Sequence, residues 1–125
     1  MNRSNLSVMR EGPIVNKSLA FSLLVIKYCN FLETSRKFII SNQLLKSGTS
    51  IGANVFEAQH AESRLDFIHN MKIAMKEANE TLYWLLLCEK TEEISVKQEM
   101  LGEIKEMILI LSKIIVTSKK NLTKT

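Results

Sequence analysis

The chain has 125 residues, of which 46% are hydrophobic and 24% charged, with four glycines and one proline. This composition excludes a disordered or collagen-like chain and favours one all-α domain with long regular elements and few turns. The net charge is +4, but basic and acidic residues are equal in number up to Glu106, so the whole excess lies after that residue.

Apolar residues recur at spacings of three and four in four segments, the pattern of helices that bury one face. We expect helices at residues 14–32, 37–60, 64–90 and 95–118, after a flexible N-terminal tail at 1–13 and before a basic C-terminal tail at 119–125. Asn16 or Pro13 can begin the first helix. Because the connections are short, consecutive helices should be antiparallel. The sequence therefore predicts an all-α, antiparallel up-down-up-down four-helix bundle.

Two of the helix starts carry a stronger capping signal. Ser63 is followed three residues later by Asp66, just before an apolar run. Ser95 and Gln98 repeat this spacing at the start of the fourth segment. In a capping box, such side chains accept hydrogen bonds from the free N–H groups of the first turn. We therefore expect both serines to be N-caps.

The predicted second helix contains two glycines, Gly48 and Gly52, which together cost about 2 kcal/mol relative to alanine. On a helical wheel they share a face with Leu44 and Ile51, so we expect them to face the core. These glycines have three interpretations: close approach of a neighbouring helix, a break into two shorter helices at residues 47–49, or a glycine-lined ligand pocket. We favour the first, because small residues let helix backbones approach each other.

The two cysteines, Cys29 and Cys88, lie far apart in apolar segments without the spacing of metal ligands,. We expect both to be reduced core residues of a cytoplasmic protein. The longest apolar run, Leu82–Cys88, is far shorter than the roughly 20 residues that cross a bilayer. The N-terminus also lacks the apolar segment of a secretory signal, so no membrane association is predicted.

Three stretches are apolar on every side of their helix: Leu23–Ile26, Leu82–Cys88 and Met107–Leu111. A helix in an isolated bundle keeps one solvated side, so such stretches indicate burial against more than the intramolecular neighbours. The alternative is that they include ordinary exposed apolar residues. We predict a homo-oligomer.

Two short motifs could in principle hold metal ions in a bundle. Glu57 and His60 form an ExxH, and Asp66 and His69 form a DxxH,. Glu57, however, points away from the predicted core face, and both motifs lie near the connection between the second and third helices. There is also no nucleophile with a base at a known spacing. We predict a non-enzymatic protein without catalytic, metal or cofactor residues, and a metal- or ligand-binding bundle remains an alternative.

Several basic residues are candidates for contacts with RNA or DNA, although no known nucleic-acid-binding motif is present. The alternative is that lysines near the end of a helix complement its dipole. Oligomerisation would concentrate these cations in one patch. The candidates are Lys113, Lys119, Lys120, Lys124, Arg64, Lys72 and Lys76.

The segment SIGANVFEA resembles the motif S-I-P-A-N-I-A-E-G of a four-helix bundle family. Its founding members are encoded in intervening sequences of bacterial 23S rRNA genes, and it includes the accessory variability determinants of diversity-generating retroelements. The positions that carry the resemblance are Gly48, Ser50, Ile51, Gly52, Ala53, Asn54 and Glu57. A following helix carries Phe67, Met71, Ala74, Glu77 and Glu80, which match the second part of the motif with changes.

The resemblance implies an antiparallel bundle that assembles as a ring, commonly a pentamer, with no catalytic residues. Some relatives bind nucleic acid and partner with a reverse transcriptase, but no retroelement-specific residue is visible here. Gly52 replaces the usual proline and Ala58 the usual glycine. Because Gly52 keeps its N–H group, the kink expected in the second helix should be softer.

Overall fold

The computed structural model describes residues 12–123 of the chain, with side chains as far as residue 122. This part of the chain forms four α-helices and no strand. The helices are α1 (Pro13–Thr34), α2 (Phe38–Ala58), α3 (Arg64–Glu89) and α4 (Gln98–Thr123). The predicted all-α class with four helices is confirmed. Residues 1–11 of the predicted N-terminal tail, and Lys124, lie outside the described residues.

The starts of α1 and α3 have the capping features that the sequence predicts. Pro13 begins α1 and follows Gly12, whose φ of 110° favours glycine,. The Oγ of Ser63 accepts a hydrogen bond from the N–H of Asp66 at 3.0 Å, and the Asp66 carboxylate accepts from the N–H of Glu62 at 3.2 Å. Side chains thus satisfy backbone N–H groups that the first turn leaves free.

α4 begins at Gln98, three residues after the predicted start, and the expected cap at Ser95 does not form. Instead, the Ser95 carbonyl accepts a hydrogen bond from the Tyr28 hydroxyl at 2.9 Å. The side-chain amide of Gln98 donates to the Glu89 carboxylate at 3.1 Å. The capping prediction is wrong here because both residues are engaged by other helices, and spacing along the chain does not reveal such contacts.

α4 also continues to Thr123, five residues past the predicted end at 118. The added residues include no glycine or proline, the residue types that most often end a helix,. Lys119 and Lys120, predicted to lie in a C-terminal tail, are therefore exposed residues of α4.

α2 is one continuous helix, and its two glycines lie against α1. A β-carbon added to Gly48 would come 2.7 and 2.8 Å from the two γ-carbons of Val25. A β-carbon added to Gly52 would come 3.3 Å from the carbonyl oxygen of Ser18. Close approach of a neighbouring helix is confirmed. The alternatives of a break at residues 47–49 and of a glycine-lined pocket are wrong, because the helix is unbroken and α1 fills the space.

The inward faces of all four helices form the core. Its largest fully buried side chains include Phe21, Ile14, Leu32, Leu44, Ile51, Met71, Leu85, Ile104, Met107 and Leu111. Cys29 and Cys88 are also buried and unpaired, as the sequence predicts, and burial raises the pKa of both thiols,. The Cys29 thiol donates to the Ser41 carbonyl and the Ser41 hydroxyl to the Cys29 carbonyl, each at 3.3 Å, which joins α1 to α2.

Neighbouring helices do not all pack equally closely. α2 packs along α1 and α3, and α3 along α4, whereas α1 and α4 are less closely packed. The Thr81 hydroxyl donates to the Ser47 hydroxyl at 2.9 Å in the buried contact of α2 with α3. The Lys17 ammonium lies 2.8 Å from the Glu106 carboxylate between α1 and α4. Within residues 12–123, no helix combines the length and apolarity needed to cross a membrane.

Candidate functional site

One side of the molecule, formed by α1 and α2, exposes large apolar side chains. Leu19, Leu23 and Ile26 of α1 are 49%, 62% and 44% exposed. Phe38 and Phe56 of α2 are 51% and 37% exposed. We call these five residues the α1/α2 apolar face.

The close contact between the two helices makes these side chains parts of one surface. Ser18 lies against Gly52. Leu19 follows Ser18, and Phe56 lies about one helical turn after Gly52, both on the outer side of the contact. Because the backbones are so close, no ridge of core side chains separates the outer residues of α1 from those of α2.

The α1/α2 apolar face carries no charge. Lys27 is the one charged residue between residues 18 and 32. Lys46 is the one charged residue between residues 38 and 56. Lys27 lies on the side of α1 that faces α4, where it lines a cavity. Lys46 lies about 80° around α2 from either phenylalanine. A contiguous, uncharged apolar surface is typical of a protein–protein contact.

The three stretches predicted to be apolar on every side are all partly exposed. Leu23 and Ile26 of the first stretch belong to the α1/α2 apolar face. In the second stretch Tyr83 and Leu87 are exposed, and in the third Leu109 is 71% exposed. Tyr83 and Leu87 belong to α3 and Leu109 belongs to α4, and we call these three residues the α3/α4 apolar patch.

Five of the predicted nucleic-acid contacts lie on α3 and α4, and two of them come close together between these helices. Lys72 and Lys119 are close enough for the Lys72 ammonium to lower the pKa of Lys119,. Lys76 lies one turn after Lys72, and Lys113 and Lys120 share the outer side of α4,. All five side chains are exposed. We call them the α3/α4 basic face.

The remaining two candidates do not join this group. Arg64 is the first residue of α3 and lies about two turns before Lys72,. Lys124 lies outside the described residues.

The two ExxH-like motifs lie at and just after the connection between α2 and α3. Glu57, His60, Asp66 and His69 are all exposed. The Asp66 carboxylate accepts a hydrogen bond from the N–H of Glu62 at the start of α3. Over the described part of the chain, no group of three or more His, Cys, Asp or Glu side chains is placed to hold a metal ion.

The residues of the SIGANVFEA segment shape α2 and its contact with α1. Ile51 is fully buried, and Gly52 lies against α1. The Ser50 hydroxyl donates to the carbonyl four residues earlier at 2.6 Å, and the Asn54 amide donates to the Ser50 carbonyl at 2.9 Å. Ala53 and Glu57 are exposed. The buried part of the motif thus builds a helix contact, and its polar side chains bond within their own helix.

The segment and the fold around it occur in a known family. The model of the 23S rRNA-intervening sequence protein family matches residues 10–117 of the chain. The chain belongs to this family. The match spans α1, α2 and α3 and most of α4, and it confirms the resemblance carried by the SIGANVFEA segment.

A solved structure supports the same assignment. A crystal structure of a protein of unknown function from Bacteroides thetaiotaomicron, described as a member of the S23 ribosomal protein family, is 43% identical to this family member. The similarity covers 82% of this chain and 98% of the other, with a TM-score of 0.79. A comparison with curated proteins found no match.

Sequence reasoning missed the α2 half of the α1/α2 apolar face. Phe38 begins the short apolar run Phe38–Ile40 and Phe56 follows Val55, but neither run covers a full helical turn,. The available signal was the scarcity of charge, since Lys46 alone is charged between residues 38 and 56. A helix with almost no charge over five turns has too little polar surface for a solvated side.

Proposed function

We propose that the chain is a non-enzymatic interaction protein of the 23S rRNA-intervening sequence type, which assembles with copies of itself through the α1/α2 apolar face. The observation that carries this proposal is the absence of charge over that face. Burial of apolar surface stabilises an interface by about 25 cal/mol for each Å² removed from water. Five exposed large side chains in one patch therefore favour association.

We propose the antiparallel up-down-up-down topology for each copy. Lys17, near the start of α1, contacts Glu106, which lies well inside α4. Tyr28, further along α1, contacts Ser95, which precedes α4. Later residues of α1 therefore contact earlier residues in or before α4, as expected for two antiparallel neighbours.

We propose that the copies form a ring. A contact between two different surfaces, repeated from copy to copy, closes into a ring when the rotation allows it. The α1/α2 apolar face belongs to the first two helices and the α3/α4 apolar patch to the last two, and in the ring that we propose the face of one copy packs on the patch of the next. The family resemblance sets the expected number of copies at five.

Two charge variants test this pairing. Leu23→Glu places a carboxylate in the α1/α2 apolar face, and Leu109→Glu places one in the α3/α4 apolar patch. Both residues are exposed, so the fold should tolerate the changes. We expect each variant alone to be monomeric by light scattering. An equimolar mixture should form a 1:1 heterodimer, because one intact face and one intact patch remain.

A matched control adds the same charge elsewhere. Gln43 is exposed on α2, about 140° around the helix from Phe38,, so Gln43→Glu should assemble like the unmodified chain. Normal assembly of Leu109→Glu would mean that the α1/α2 apolar face pairs with itself and would rule out the ring contact. Normal assembly of Leu23→Glu would overturn the proposed interface.

Nucleic-acid binding is a second candidate function, favoured by the close pair of Lys72 and Lys119 within the α3/α4 basic face. Like charges this close repel each other, and a polyanion that neutralises them relieves the repulsion. In a ring the clusters of several copies would add to one another. An accessory role beside a reverse transcriptase is one form of this candidate, and the neighbouring genes would test it.

A salt titration tests the second candidate. Binding of structured RNA and of duplex DNA is followed by fluorescence anisotropy over a range of salt concentrations. Phosphate contacts predict a linear fall of log affinity with log salt, and Lys72→Gln/Lys119→Gln should flatten the duplex slope by about 2. Lys27→Gln/Lys46→Gln removes the same charge from α1 and α2 and should keep the slope. Absence of binding at low salt would exclude this function.

Two further assignments accompany the proposal. We place the protein in the cytoplasm, because two buried, unpaired cysteines suit a reducing compartment,.

Metal or ligand binding within the bundle is the third alternative. Elemental analysis of the purified protein would support it if a transition metal were present in stoichiometric amount.

A further inference from the structure

A cavity lies between α1 and the start of α4, separate from the surfaces described above. It has a volume of about 320 Å³ and opens where these two helices pack less closely. Tyr28 and Ser95 both line it, and the Tyr28 hydroxyl donates a hydrogen bond to the Ser95 carbonyl at 2.9 Å. Its volume is within the range of small-molecule sites, about 300–1,000 Å³.

The walls of the cavity are mainly apolar. Leu24 and Tyr28 are half-buried, and Met100 is buried. The ring of Phe31 stacks on that of Tyr28, with centroids 5.8 Å apart and planes inclined by 28°. Burial raises the pKa of Tyr28, so its hydroxyl stays neutral,. The two rings form a wall on which a flat apolar group can stack.

The lining of the cavity carries a net positive charge. Lys27 of α1 and Lys97, the residue before α4, both contribute to the lining. Neither takes part in an ion pair within the described residues. Glu99 is the single carboxylate of the lining. An anion held in the cavity would therefore have two lysines available in the lining, neither of them in an ion pair with a carboxylate of the described residues.

We infer that this cavity binds a small amphipathic carboxylate. Its flat apolar body lies against Tyr28 and Phe31, and its carboxylate is held by Lys27 and Lys97. The apolar walls bury the body, and the two ammonium groups select an anion over a neutral or cationic ligand. The site does not depend on the proposed ring, because it lies on the α4 side of α1.

The charge selection can be measured with a matched pair of probes. 2-Naphthoate has a flat apolar body and one carboxylate, and 2-naphthamide has the same body without the charge. Isothermal titration calorimetry of the full chain should show saturable binding of naphthoate and about ten-fold weaker binding of the amide. No saturable binding of naphthoate, or equal affinity for the two probes, would overturn the inference.

Variants locate the site. Lys27→Gln/Lys97→Gln should weaken naphthoate binding about ten-fold and leave the amide unaffected, since only the charge contact is removed. Lys46→Gln/Lys105→Gln removes two exposed lysines outside the cavity and should change neither affinity. An equal loss in both double variants would place the binding elsewhere. If a short peptide of glutamate and phenylalanine binds and naphthoate does not, the cavity is a docking site for a protein segment instead.

Discussion

Gly48 lies so close to Val25 that a β-carbon at position 48 would come 2.7 Å from a γ-carbon of the valine. This contact holds α1 and α2 together near the middle of both helices. The close approach also brings the outer side chains of the two helices into one apolar surface. The contact between Gly48 and Val25 therefore helps to form the surface that we propose for assembly.

The first prediction concerns this contact. Gly48→Ala should lower the free energy of unfolding by roughly 1–2 kcal/mol, because overpacking against the stiff Val25 outweighs the gain of about 1 kcal/mol in helix propensity. Urea unfolding monitored by circular dichroism measures the difference. Val25→Ala in the Gly48→Ala background should recover part of the loss, since it removes the clashing γ-carbons.

Gly102 in α4 provides the matched control. A β-carbon there would meet nothing within 4 Å. Gly102→Ala should therefore raise the free energy of unfolding by about 1 kcal/mol through helix propensity alone. If alanine stabilised the protein at both positions, the proposed close contact at Gly48 would be refuted.

Two serines with the same sequence signal should respond differently to mutation. Ser63 caps α3 through a hydrogen bond to the N–H of Asp66, so Ser63→Ala should cost about 1 kcal/mol of stability. Ser95 uses its backbone carbonyl, which accepts from Tyr28, so Ser95→Ala should change stability by less than about 0.5 kcal/mol. Urea midpoints of both variants test this, and equal losses would disagree with the structure.

The buried thiols should make stability depend on alkaline pH. Burial raises the pKa of Cys29 and Cys88 above the ordinary value of 9.0. The unfolded chain then loses these protons at a lower pH than the folded chain, so stability is retained below about pH 9 and falls as the pH rises above it. We expect a lower urea midpoint at about pH 10 than at about pH 8. Cys29→Ala/Cys88→Ala should show a smaller decrease, and an unchanged decrease would exclude the thiols as its cause.

The helices were predictable because their signals are local. Spacings of three and four identified all four, and Ser63 with Asp66 marked the start of α3. The same kind of signal failed at Ser95, where a contact with Tyr28 replaces the cap. That contact joins residues 67 positions apart in the sequence, so no local pattern reveals it.

The surfaces were less predictable than the helices. The glycines of α2 indicated close packing, but the sequence does not say which helix packs against them. In the structure that helix is α1, and for this reason Leu19 and Phe56 share a face. Likewise, Lys72 and Lys119 meet only because α3 and α4 are neighbours. The cavity beside Tyr28 combines residues from α1 and from the start of α4, and no single segment of the chain carries its pattern.

The mass of the protein in solution tests the central claim most directly. Light scattering coupled to size-exclusion chromatography gives the number of copies without reference to shape. We expect a single species at about five times the chain mass of 14.3 kDa,. A species of 14.3 kDa at all concentrations would contradict the proposal that the α1/α2 apolar face is an interface.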